Sequence, residues 1–277
     1  MAELGTVFLM YHELALPGRA LCHREPGYTR YVVSAADFRI QMESLAQQGW
    51  RGKNVSQAIE SLDKPSYDGQ SLDNKSVCIT FDDGCETDLL CSAPILKEFG
   101  FGATFYITAG FVGQPGYLSE AQVRSLAALG FEVGCHSLTH PYLTDIDRSR
   151  LHQETAEAKD QLEQLAGVPV EHFSCPGGRW NASVIEAVKA AKFRTMATSR
   201  TGMNFASTDR FALARVTVLK NTPAAKFCRT CRGQGLLWAQ FQERAREAAK
   251  QALGNSAYDS LRGLILGREQ KSDSDQQ

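Results

Sequence analysis

The chain has 277 residues, a formal net charge of −1 and a hydrophobic fraction of 43%. That length suits one large α/β domain or two small ones and allows a sizeable core. The near-neutral balance excludes a global field that would draw nucleic acid or acidic partners, and no run reaches the roughly 18 apolar residues that span a bilayer.

Met1 to Tyr11 lacks a basic segment followed by a long apolar run and a small-residue cleavage site. The segment therefore reads as mature protein. On that reading the eight cysteines fit free thiols in a reducing compartment, and the expected location is cytoplasmic.

Taken in order, Thr6 to His12 reads as a first buried strand that ends in a polar residue. Residues 13–33 are rich in Gly, Pro and charge and read as a long loop, a length that usually serves function. Ser34 caps a helix with Phe38, Met42, Leu45 and Ala46 on one face, and Gly49 lies past its end. A short helix follows over Val55 to Leu62. Val77 to Phe81 is a buried strand that runs into Asp82, Asp83 and Gly84. Leu89, Ala93, Leu96 and Phe99 mark the next helix, and Ala103 to Thr108 the next strand. Ser119 and Gln122 have the spacing of a capping box. Further strands are expected at Phe131–Cys135, Glu171–Cys175, Arg194–Thr198 and Leu213–Leu219, with helices at Arg148–Leu165 and Ala182–Ala191 between them. This alternation implies a parallel sheet with helical crossovers, open or closed into a barrel.

After Asn221 the character changes. Residues 226–250 carry six basic and two acidic residues, interleaved with Leu236, Leu237, Trp238, Phe241 and Ala245. This reads as a basic amphipathic helix, packed on its own domain or lying on a membrane surface. The domain reading is a barrel over 1–220, a helical extension over 221–267 and a polar, disordered tail over 268–277.

The chemistry concentrates at two strand ends. Asp82 and Asp83 would sit at the carboxyl end of a strand, where α/β folds build their sites. Alone, Asp-Asp-Gly is also an ordinary turn. His136 and His140 follow another strand, and in a helical turn their spacing puts both imidazoles on one face. Two histidines and a carboxylate from the Asp82–Asp83 pair would make a zinc-type set with open positions. Cys228 and Cys231 have the spacing of half a zinc site or a redox pair, but no second pair exists, and they read as plain thiols.

Here the sequence resembles the polysaccharide deacetylases, the NodB-homology or carbohydrate esterase family 4 proteins. The resemblance rests on Thr80-Phe81-Asp82-Asp83-Gly84 and on His136-Ser137-Leu138-Thr139-His140-Pro141-Tyr142-Leu143, with Phe105 in a lesser motif. Met10-Tyr11-His12 is similar to the opening of a circularly permuted branch that includes exopolysaccharide deacetylases. The likeness covers about residues 6–220. It implies a distorted (β/α)7 barrel that removes acetyl groups from N-acetylated sugars. It implies that Asp83, His136 and His140 hold a divalent metal, most often zinc, and that Asp82 is the general base. The general acid of the permuted branch falls on His12.

The third motif departs from the pattern. Ser174 stands where the family has an arginine that orients the base, which leaves the partner of Asp82 open: Arg215 is one candidate for that charge, and Arg179 a second that could equally bind substrate or solvent. Gly177 would offer the oxyanion N–H, and Trp180 an apolar face for a sugar ring or a place in the core. Two other functions stay open: a same-fold hydrolase of another amide or an O-acetyl ester, and a carbohydrate-binding protein without turnover. With a cytoplasmic location, the expected substrate is a nucleotide- or lipid-linked precursor, approached through residues 226–250 at the inner membrane face.

Overall fold

The computed structural model describes residues 5–63, 75–236 and 240. Among the described residues there are eleven strands: β1 (Thr6–Tyr11), β2 (Leu14–Ala15), β3 (Val33–Ser34), β4 (Arg51–Lys53), β5 (Ser76–Phe81), β6 (Thr104–Ile107), β7 (Glu132–Cys135), β8 (His172–Ser174), β9 (Thr195–Ala197), β10 (Met203–Asn204) and β11 (Val216–Thr217). The helices are α1 (Pro26–Thr29), α2 (Ala35–Gln47), α3 (Val55–Asp63), α4 (Ala93–Glu98), α5 (Glu120–Ala128), α6 (Arg148–His152), α7 (Ala158–Ala166), α8 (Ala182–Ala190) and α9 (Ala224–Cys231). A π-helical turn leads into α4 over Asp88–Ser92, and another joins α6 to α7 over Gln153–Glu157.

The main sheet runs β10-β1-β5-β6-β7-β8-β9, with β4 added on β5 and β11 on β1. All its pairings are parallel except β1 with β10. The sheet curls until it meets itself. Leu213 bridges to Ala197 at the end of β9, and three residues on, Val216 pairs with Leu9 of β1. The strip from Leu213 to Thr217 therefore closes the barrel.

Strand periodicity sorts the side chains into two layers. Val77, Ile79 and Phe81 of β5 join Leu9, Tyr11, Phe105, Val133 and Phe173 in the cluster packed under the helices. Cys78 joins Phe8, Tyr106, Ala197 and Leu213 in a smaller cluster, which Val55, Ala58, Ile59 and Leu62 of α3 plug from one end. Thr80 and Asp82 continue the Cys78 face, so the first aspartate is aimed into the barrel, above that plug.

Local signals explain most elements. Ser34 accepts a hydrogen bond from the Asp37 amide at 3.0 Å and starts α2, and Ser119 with Gln122 forms a complete capping box for α5. Some expectations need correction. The 13–33 segment contains α1 and a parallel β2–β3 pair, so it is not a featureless loop. β4 and β10, each of three residues or fewer, are strands to which the sequence reading assigns no element. The last strand is shorter than expected, with ladder pairing only at β11. In the C-terminal extension, α9 buries Phe227 and Cys231 against the barrel. Beyond residue 236, and apart from Gln240, the rest of the basic stretch, Leu237, Trp238, Phe241 and Ala245 included, lies outside the described residues, as does the 268–277 tail. Among the described residues no helix is long and apolar enough to cross a membrane.

Candidate active site

Asp82 and Asp83 leave β5 in opposite directions because the chain turns sharply there. Asp83 has left-handed backbone with φ 81°, followed by Gly84 with φ 80°. A Cβ on Gly84 would come within 2.9 Å of the Ile107 side chain, so the turn needs glycine. The Asp82 amide donates to Tyr11 O at 3.0 Å, which extends the β1–β5 ladder to the site and places His12 beside it.

The histidines reach the same point by a route different from the expected one. Residues 136–140 form no helical turn. Left-handed backbone at Ser137 (φ 67°) and His140 (φ 60°) folds the segment back on itself. Such conformations cost about 1–3 kcal/mol each and persist only where surroundings enforce them. The enforcing group is Glu154, which sequence reasoning missed. Its fully buried carboxylate accepts from the Leu138 amide (2.9 Å), the Thr139 amide (2.8 Å) and the Thr139 hydroxyl (2.6 Å). The Ser137 hydroxyl accepts from the His140 amide at 3.0 Å.

The result is one convergent set. Asp83 Oδ1 lies 3.5 Å from His136 Nε2 and 3.6 Å from His140 Nε2. Ligands about 2.0–2.2 Å from a shared tetrahedral ion stand about 3.3–3.5 Å apart, so the set fits a single divalent ion. The donor chemistry agrees. His136 Nδ1 donates to Ser174 O at 2.8 Å, which leaves the Nε2 lone pair facing the set. Burial pushes the His136 imidazole down to about 3 and lowers His140 as well, so both are neutral ligands at neutral pH. Burial raises the Asp83 carboxyl, and the neighbouring Asp82 charge adds to that, an environment in which a bound cation would favour the ionised form.

Asp82 is held differently. Arg215 Nη1 donates to its Oδ1 at 2.7 Å and Nη2 to its Oδ2 at 2.8 Å. Ser174 Oγ donates to Oδ2 at 3.2 Å and accepts from Arg215 Nη2 at 2.8 Å. The guanidinium is itself braced by Thr198 O at 2.9 Å. Burial acts to raise the Asp82 carboxyl, but the Arg215 charge outweighs it and holds the group well below the usual carboxylate range. A carboxylate has about four acceptor positions, and three are occupied, which leaves one to face the cleft. Oδ2 lies 4.0 Å from His136 Nε2.

Of the two arginines considered for that charge, Arg215 is the one on Asp82, whereas the Arg179 guanidinium lies 3.9 Å from the centre of the Tyr142 ring. Gly177 is exposed, with φ 60°, and a Cβ there would come within 2.6 Å of Tyr142. Trp180 packs partly buried against the main core. His12 stands with its ring centre 5.0 Å from that of Tyr31, and its Nδ1 is buried without a hydrogen-bond partner. A proton on its ring would favour the ionised forms of both Asp82 and Asp83.

Comparison with known proteins agrees with this geometry. The polysaccharide deacetylase family model matches residues 69–196. YxkH of Bacillus subtilis, assigned by name to the polysaccharide deacetylases, is 25% identical over 79% of this chain and 73% of its own length. A chitooligosaccharide deacetylase of Rhizobium leguminosarum bv. trifolii is 32% identical over 46% of this chain, and the match spans little more than half, 58%, of that relative. In fold, the chain is similar to the Streptococcus pyogenes deacetylase PplD in complex with acetate, with a TM-score of 0.71 at 20% identity, over 83% of this chain and 99% of that one. Residues 69–196 thus carry the match to the polysaccharide deacetylases, and the curled, mostly parallel sheet is the fold of their solved NodB-type structures.

Proposed function

We propose that this protein removes the acetyl group from an N-acetylated sugar, with Asp83, His136 and His140 as ligands of a zinc ion, Asp82 as general base and His12 as general acid. The observation that carries the reading is the convergence of Asp83 Oδ1, His136 Nε2 and His140 Nε2, with the Asp82 carboxylate alongside. Two imidazoles and one carboxylate suit zinc and leave coordination positions open. Bound there, the ion supplies Lewis-acid polarisation of the acetamide carbonyl and acidifies water.

The protein's own residues do the rest. Asp82 is ionised at working pH, and Arg215 and Ser174 fix its plane so that the free acceptor position takes a proton from the attacking water. The Gly177 N–H is the oxyanion donor in this reading, at a turn that only glycine fits. His12 protonates the departing amine, because an amide anion is a very poor leaving group. Its position at the end of β1, beside Asp82, is where a permuted strand order would bring the acid. A lipid- or nucleotide-linked precursor at the inner face of a membrane, met through residues 226–250, completes the proposal. Liposome binding that is unchanged by Lys226→Glu with Arg229→Glu and Arg232→Glu would remove that last element.

The test is release of free amine and acetate from a panel of N-acetylated sugars by zinc-loaded wild type and Asp82→Asn. The expected result is equal amounts of amine and acetate from wild type, with loss of both in the variant while zinc stays bound. Acetate without amine would make the protein an esterase. Binding of a sugar without either product would make it a lectin-like relative.

A further inference from the structure

A second cluster lies outside the candidate active site. Glu13, Cys22 and Cys85 each bring one ligand atom within 4.8 Å of the others. Glu13 opens the 13–33 segment just past β1, Cys22 sits in its middle and Cys85 follows the β5 turn, so both ends of one loop half meet a distant stretch of chain here. We infer that Glu13, Cys22 and Cys85 form a second cation site, for a soft divalent ion such as zinc, which ties the 13–33 segment to the mouth of the barrel.

The distances suit the assignment. The two sulfurs are 3.5 Å apart. Thiolates about 2.3 Å from one tetrahedral zinc stand about 3.7 Å from each other, whereas a disulfide needs about 2.05 Å. The Tyr28 hydroxyl lies 3.0 Å from Glu13 Oε2 and 3.6 Å from Cys85 Sγ, a polar group at the same point. Sulfur ligands select zinc over magnesium or calcium.

The electrostatics argue the same way. Glu13 is 2% exposed. Its hydrogen bonds come from the Cys22 amide and the Tyr28 hydroxyl, neither of which brings a positive charge. Asp88 is fully buried nearby, and neither of its oxygens has a hydrogen-bond partner. Burial raises both carboxyls, and the charges of Glu13, Cys22 and Asp83 add to that at Asp88. A protonated His23 would oppose this at Glu13, but a group of buried acids and thiols is costly, and a bound cation would offset that cost. The ion would displace the thiol protons on binding. It would also fix the segment that carries Tyr31 against His12, although nothing in the assignment depends on the deacetylase reading.

Cobalt substitution of the full chain tests this directly. Thiolate-to-cobalt charge transfer absorbs in the near ultraviolet, and the Asp83–His136–His140 set contains no sulfur to produce it. The reduced, chelator-stripped protein should take up about two equivalents of cobalt and show the band. Cys22→Ser should lose the band and one equivalent. His140→Ala should lose the other equivalent and keep the band, and Cys228→Ser should keep both. Should Cys22→Ser not fold, Glu13→Gln keeps both thiols and should weaken cobalt binding in the banded site at least about tenfold. No band in wild type, a band that survives Cys22→Ser, an unchanged affinity in Glu13→Gln, or a Cys22–Cys85 disulfide in anaerobically prepared protein overturns the assignment.

Discussion

Arg215 meets Asp82 with both terminal nitrogens, 2.7 and 2.8 Å from its two oxygens, at side chains 1% and 3% exposed. A pair this buried contributes little net stability while intact, but removal of one partner strands a charge. Arg215→Ala should therefore destabilise the fold by about 3–5 kcal/mol in denaturant titrations. Arg215→Lys keeps the charge but not the two-pronged contact, so its stability loss should be smaller. Amine release should still fall about 100-fold in Arg215→Lys, because Asp82 is no longer held in plane.

Ser174 and Arg215 divide between them a task that one arginine performs in the family pattern. Ser174→Arg alone would force a second guanidinium beside the first, at a cost of about 1–3 kcal/mol from overpacking, with like-charge repulsion added. Ser174→Arg combined with Arg215→Ser should recover part of that loss. A coupling energy of about 0.5–3 kcal/mol in a double-mutant cycle of unfolding free energies is the expected outcome. Additive losses would mean that the two positions do not exchange the charge.

Glu154 holds the left-handed Ser137–His140 segment through the Leu138 and Thr139 amides. Glu154→Gln preserves the volume but replaces one acceptor oxygen by a donor, which must face either the two amides or the Arg150 guanidinium on the other oxygen. Zinc affinity, measured by competition with a chromophoric chelator, should weaken about 10–100-fold. Since Glu154 is a positioning residue, excess zinc should restore most of the turnover.

Acid should weaken the fold through Glu132. This carboxylate accepts from the Val55 amide (3.1 Å), the Ser56 amide (3.2 Å) and the Thr104 hydroxyl, and lies 3.5 Å from His172 Nε2. Burial acts to raise its pKa, and the contacts with His172, Ser56 and Thr104 outweigh that and lower it. A depressed folded-state value gives stability that is present above the unfolded value, about 4.3, and lost as pH falls through the folded one. Glu132→Gln should thus be less stable than wild type at pH 7, by about 1.5–3 kcal/mol, and closer to it at about pH 3. Urea unfolding at the two pH values checks this, and a constant deficit would contradict it.

Much of the site was legible because its signals are local. Asp82 and His136 each follow a buried strand directly, with Asp83 and His140 close behind them, so strand ends and chemistry were read together. The caps at Ser34 and Ser119 are likewise written within four residues. What could not be read depends on contacts between distant parts. The choice of Arg215 over Arg179 is made by barrel closure, which brings the strip after Leu213 against β1. The helical turn expected for His136–His140 failed because the Glu154 contacts with that segment, 15 and 16 residues away in sequence, favour a backbone that spacing alone does not encode. The pairing of Cys22 with Cys85 spans 63 residues and has no local signature.

Barrel closure also has a consequence for synthesis. Asp82 and Arg215 are 133 residues apart in the chain. At about 5–20 residues per second, the ribosome delivers the arginine roughly 7–27 s after the aspartate. Through that interval β1 and β5 to β9 can pair, but the Asp82 carboxylate has no guanidinium to enter the interior with. The nascent barrel must therefore keep its mouth wet until the strip from Leu213 to Thr217 emerges. The last piece of the barrel to be made is then both its seam and the counter-charge of Asp82, so a chain stalled before that strip carries Asp83, His136 and His140 without a closed site.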